Sequence, residues 1–304
     1  MNAPSARDAQ RLRQFVNAAI ATNILIVFTG GLVRVTGSGL GCPQWPTCDG
    51  ENLVPAPGGD HAGWQAAIEF GNRLLTFVVL AAVVAVFVQV RRTRPHPVIV
   101  ERLAWLLPLG VFAQALLGGV TVLTGLSPYT VAGHFLLSMV LTAAAVTLHE
   151  RIRPPRTRAV TAPIRHLSLA VVVVAAAVLV LGTVVTGAGP HGGDASAPRF
   201  PIDIRLAAIA HADAVWLLLG LTVALVVITR HVPDTRLRAT ALALLVIELL
   251  QGTIGYTQYA LGVPEALVSL HILGAASLWA TAFWMWAQAA QPATATYPSQ
   301  VSTA

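Results

Sequence analysis

"QALLGGVTVLTGLSPYTVAGH", residues 114–134, and "QGTIGYTQYALGVPEALVSLH", residues 251–271, are two copies of one pattern. Each opens on Gln, has Gly four positions later (Gly118, Gly255) and again eleven later (Gly125, Gly262), and closes on His twenty later (His134, His271). In both, an apolar run meets a glycine- and proline-bearing break and then resumes, the signature of two helices joined by a tight turn. A second echo links "VTGSG" at 35–39 with "VTGAG" at 185–189. Self-similarity on this scale implies that the chain is built twice.

Working outward, composition names the solvent. The chain is 55% hydrophobic and 11% charged, with mean hydropathy +0.69. Soluble domains carry about a quarter charged residues, so lipid is indicated. Apolar stretches long enough to span a bilayer, roughly 20 residues, fall at 15–36, 67–90, 103–124, 131–149, 167–188, 205–229, 239–260 and 266–288. No cleavable signal peptide is expected, because the first stretch is full length and lacks a small-residue cleavage site. The expected fold is therefore an all-α polytopic membrane protein, with eight transmembrane helices in two pseudo-twofold-related four-helix bundles. Its boundaries are a first half over 1–150, a linker over 151–166 around "RIRPPRTR", a second half over 167–289 and a disordered tail over 290–304.

Every one of the nineteen basic residues is arginine. Arg7, Arg11 and Arg13 precede helix one; Arg91, Arg92, Arg94 and Arg102 lie between helices two and three. Arg151, Arg153, Arg156, Arg158 and Arg165 lie between four and five, and Arg230, Arg236 and Arg238 between six and seven. Only Arg34, Arg73, Arg199 and Arg205 fall near the other face. The positive-inside bias places both termini in the cytoplasm of a cell (plasma) membrane protein. The net charge of +6 is then a topology signal, and no nucleic-acid partner is implied.

That topology puts "SGLGCPQWPTCDG", residues 38–50, outside the membrane with the only two cysteines, Cys42 and Cys48. Disulfides persist there, and Pro43 and Pro46 bend the chain enough for the sulfurs to meet. The pair is either a structural staple on a long loop or a redox-active pair that relays electrons. Two thiolates with His61 nearby do not complete a zinc sphere.

Even-numbered helices begin on this outer side, which sets His134, His211 and His271 within about 10 Å of the outer surface at 1.5 Å per residue. Imidazole inside lipid is a functional signal, and imidazoles on facing helices are how a bundle holds haem. His211 and His271 are the candidate axial pair. By repeat logic helix two should carry the match of His211; Asn72 is there, in "IEFGNRLL". Glu69 and Arg73 share one face of that helix, as a buried ion pair holding the helix or as an acid turned into a cavity beside His134. The position equivalent to Glu69 in the second half is Ala208, so only one half carries the acid. Asp213 points off the ligand face of its helix, Glu248 has no evident partner, and Gln114 and Gln251 are expected to bond between helices.

Together, "GGLVRVTGSGLGCPQWPTC", the helix-two Glu and the His of helices four, six and eight resemble the haem A synthase family over about residues 15–288. The resemblance implies an oxidoreductase that converts the C8 methyl of haem O to a formyl group, giving haem A for terminal oxidases. It implies haem b as cofactor, its iron on His211 and His271. It further implies that the first half receives the haem O substrate at His134, Asn72 and Arg73 beside a catalytic Glu69, with haem O synthase and cytochrome oxidase assembly as partners. Where the family pattern has Glu-x-x-His-Arg, this chain has Glu-x-x-Asn-Arg. The other classes weighed are a bis-His electron-transfer cytochrome, whose ligands would sit toward both faces, and a transporter, whose helix breaks would fall mid-span.

Overall fold

The computed structural model describes residues 5–55, 63–154 and 159–291. The regular elements among them are all helices: α1 (Ala6–Val35), α2 (Gly63–Arg92), α3 (Val98–Leu123), α4 (Pro128–Arg151), α5 (Ala162–Ala188), α6 (Ile204–Thr229), α7 (Thr235–Ala260) and α8 (Glu265–Ala289). All eight are long and apolar enough to cross a membrane. The chain is a multi-pass membrane protein.

The helices overrun the apolar spans, because backbone hydrogen bonding continues into the polar layer where hydropathy has already fallen. α1 starts nine residues before the expected position 15, at a cap where the Ser5 hydroxyl accepts from the Asp8 amide at 3.2 Å. Asp203 and Asp234 cap α6 and α7, each accepting two first-turn amides, which satisfies donors that nothing in lipid could. α2 and α4 run on through Arg92 and Arg151, cations favoured where helix carbonyls end.

The quoted repeat closes both times through the same turn. Gly125 and Leu126, and Gly262 and Val263, are all left-handed, at φ 60°, 60°, 74° and 60°. The amides of Leu126 and Val263 reach back five residues to Thr121 O and Gln258 O, at 2.9 and 2.7 Å. Glycine takes this conformation without cost, whereas a β-branched residue such as Val263 resists it.

Packing follows the repeat. α1 packs on α2 and α4, and α3 on both α2 and α4; α5, α6, α7 and α8 make the same ring of pairings. α4 also packs on α8, α1 on α8, and α4 on α5. The seam between α4 and α8 is polar at two levels. Trp279 Nε1 donates to Met139 O at 2.7 Å, and Trp284 Nε1 donates to the buried Glu150 carboxylate at 2.7 Å. Small residues bring the helices close: a side chain at Gly31 would strike Ile272 of α8. Residues 155–158 of the linker, 292–304 of the tail and His61 lie outside the described residues. Of the tail, Ala290 caps α8, and buried Gln291 donates to Glu150 O at 3.0 Å.

Candidate functional site

In the second bundle, His211 of α6 and His271 of α8 face each other across the ring, on helices that do not themselves pack together. Their ring centroids are 6.4 Å apart, inclined at 71°. Two imidazoles sharing one metal place their centroids about 6 Å apart, from two bonds of about 2 Å and about 1 Å from each nitrogen to its ring centre. The spacing fits one iron. His211 Nδ1 donates to Val178 O of α5 at 3.0 Å, which fixes the tautomer and leaves Nε2 for a metal.

Each ring lies against a glycine of the preceding helix. A Cβ at Gly182 would sit 3.3 Å from Cε1 of His211, and one at Gly255 3.4 Å from Cε1 of His271. The first bundle repeats the device, with Gly118 at 3.1 Å from Cε1 of His134. The three histidines lie six, seven and six residues beyond the first residue of α4, α6 and α8, a matched depth along each helix. Nδ1 of His134 and of His271 is buried with no hydrogen-bond partner among the described residues. Gln114 Nε2 donates to His134 O at 3.1 Å and to Ser138 Oγ at 2.6 Å, the interhelical bond expected of it. Gln251 instead lies against Gly274 of α8.

Glu69, Asn72 and Arg73 come together on α2 beneath the cysteine loop. Cys42 and Cys48 are disulfide-bonded and buried. Glu69 Oε2 accepts from the Cys42 amide at 2.6 Å, and Oε1 accepts from Arg73 Nη2 at 2.6 Å. Arg73 in turn donates to the carbonyls of Cys42, Gln44 and Thr47. The ion pair thus grips the loop as well as its own helix. Trp45 fixes the loop's far side by lying on Gly119 of α3, where a Cβ would come within 2.5 Å of the indole. A second loop joins α5 to α6. Arg34 of α1 donates through Nη2 to Thr186 O of α5 at 2.8 Å and through Nε to His191 O of this loop, and Gly39 donates to Gly193 O at 2.8 Å, tying the two loops together.

Several contacts had no sequence signal. Glu248, which has no evident partner in sequence, accepts from Thr222 of α6 at 2.7 Å in the buried middle of the second bundle. Asn72 accepts from Thr29 of α1 at 2.7 Å. Asp213 is exposed on α6, off the face that carries His211. Gly118 and Gly255 stand in the repeat, Gly182 does not, and the imidazoles that all three face were not legible.

Residues 13–201 match the family described as Cytochrome oxidase assembly protein, COX15-CtaA. This chain belongs to that family. Within the cytochrome oxidase assembly family it is similar to the "Heme A synthase" of Lysinibacillus sphaericus (strain C3-41), 36% identical over 138 residues, 45% of this chain and 43% of that protein. It is also similar to the "Heme A synthase" of Geobacillus thermodenitrificans, 30% identical over 155 residues, 50% of this chain and 46% of that one. A third relative, from Bacillus cereus (strain AH187), is 32% identical over 141 residues, 46% of this chain and 44% of its own. The matched stretch spans under half the length of these curated relatives.

Proposed function

We propose that this chain is a haem A synthase, an oxidoreductase that turns the C8 methyl of haem O into a formyl group. The observation that carries the reading is the pair His211 and His271, 6.4 Å apart across one bundle, opposed by a single His134 with an acid in the other. The proposed division is 1–150 for substrate and 167–289 for cofactor. The Cys42–Cys48 face lies outside the plasma membrane, with the arginine-rich face and both termini in the cytoplasm.

In the second half His211 and His271 would hold haem b, whose iron supplies one-electron redox chemistry when bound. His211 is pre-set for this by Val178 O, and Gly182 and Gly255 leave room for both rings. In the first half His134, Asn72 and Arg73 bind the substrate haem. Converting methyl to formyl with water as the oxygen source releases four electrons and four protons: one water is added to give the alcohol, a second to give a geminal diol that loses one water, and the electrons pass to an external one-electron acceptor. Glu69, held between the Cys42 amide and Arg73, would accept a proton from the methyl or stabilise positive charge developing there. Haem O synthase would supply the substrate, and oxidase assembly would consume the product.

Co-expression with a haem O synthase, followed by chromatography of extracted haems, tests the reading. Haem A beside haem b is expected. Haem b alone, with haem O unconverted, overturns it in favour of an electron-transfer cytochrome.

A further inference from the structure

The four helix hairpins of the two bundles carry a device three times and a variant once. Gly118 faces His134, Gly182 faces His211 and Gly255 faces His271, each at 3.1 to 3.4 Å from the glycine's would-be Cβ to Cε1. In the remaining hairpin, α1 and α2, the glycine is Gly30 and the side chain opposite is Asn72, its Nδ2 at 4.0 Å. An amide replaces an imidazole at this one place. On the reading that the first half receives its haem on His134, we propose that Asn72 is the hydrogen-bond donor to a small ligand, diatomic or water-sized, at the coordination position His134 leaves open. Thr29 is the residue that positions it.

The chemistry of the amide separates it from its three counterparts. Haem iron takes His, Cys, Met or Tyr from proteins; a carboxamide offers one acceptor oxygen and two N–H donors. Here the acceptor is spoken for, because Thr29 Oγ1 donates to Asn72 Oδ1 at 2.7 Å. Asn72 is only partly buried, and its Nδ2 makes no hydrogen bond among the described residues. An asparagine serving only to join α1 to α2 would gain by engaging both ends. This one is anchored through its oxygen and presents its nitrogen. It is also shorter than histidine, so a gap the size of a small ligand would remain where an imidazole would reach a metal.

The test uses the full chain, purified with haem bound, and carbon monoxide and azide as probes. The low-spin signal of the His211 and His271 pair serves as the folding control in every variant. Carbon monoxide is expected to bind one haem, and His134→Ala is expected to abolish that binding. Asn72→His is expected to close the site, with carbon monoxide binding lost and a second low-spin signal gained. Asn72→Leu and Thr29→Val should keep carbon monoxide binding but raise its C–O stretching frequency. Both should weaken azide binding to the ferric form by about threefold to tenfold, the worth of one hydrogen bond. Unchanged frequency and azide affinity in Asn72→Leu, or carbon monoxide binding that survives Asn72→His, overturns the role of Asn72. Carbon monoxide binding that is indifferent to His134→Ala overturns instead the one-histidine reading on which it rests.

Discussion

Glu69 shows how much one side chain can be asked to do. Its two oxygens are divided, one to the Cys42 amide and one to Arg73, and it is 5% exposed. A carboxylate held by a backbone amide and a guanidinium is fixed in place, which suits structural and chemical work alike, so the two must be separated by substitution. Glu69→Gln keeps the size and one acceptor but removes the charge. The expected outcome is a folded protein that retains the haem b spectrum and accumulates haem O or the alcohol. Haem A at wild-type level in that variant would end the catalytic role. Arg73→Gln leaves the buried carboxylate without its cation and should cost about 3 kcal/mol of stability or more, seen as loss of folded protein in a thermal melt. At the histidines the expectation is spectral: His211→Ala and His271→Ala should each lose the low-spin signal, and a signal unchanged in both refutes the pair as ligands.

Between elements, the deciding contacts are close approaches. Gly182 lies one turn beyond Val178, whose carbonyl holds His211, so one stretch of α5 both orients the ring and makes space for it. Gly182→Ala should tighten against His211 and shift or broaden the low-spin spectrum without unfolding the bundle. Gly119→Ala meets the indole of Trp45 at three ring atoms, and overpacking of this kind costs about 1–3 kcal/mol, measurable as a lowered midpoint of thermal unfolding. α6 and α7 share a different device, the bond from Thr222 to Glu248. Glu248 Oε2 has no partner among the described residues, so removing Thr222 strands a buried carboxylate. Thr222→Val is expected to destabilise by about 1–3 kcal/mol, and the double variant with Glu248→Leu to recover most of that loss. A double variant no more stable than Thr222→Val would mean the pair is not coupled.

Across the whole molecule, the two bundles meet where α8 packs on α1 and α4, while the loops after α1 and α5 are stitched together through Arg34 and Gly39. The cysteine loop is held on α2 by Glu69 and Arg73 and on α3 by Trp45 lying over Gly119. Cys42→Ser and Cys48→Ser should therefore reduce conversion of haem O while leaving the haem b spectrum intact. In intact cells neither thiol should take up an alkylating reagent until a reductant is added. Rapid labelling without reductant would contradict a resting disulfide.

The sequence by itself determined the eight spans, every end but the start of α1 to within five residues, the duplicated hairpin and the matched offsets of His134, His211 and His271 from their helix starts. These depend on local quantities: apolar length against bilayer thickness, turn-forming glycines, and rise per residue from a helix start. Only the tertiary structure decided that His211 and His271 face one another, that Glu69 reaches the Cys42 amide, that Thr222 serves Glu248 and that Thr29 turns Asn72. Each of these depends on how a helix is rotated about its own axis. In a soluble protein that rotation is written in an apolar stripe facing the core. Lipid is as apolar as the core, so these helices are apolar nearly all round and the stripe is erased. Close packing of small residues and bonds between helices set the rotation instead, and those exist only once all eight helices have come together.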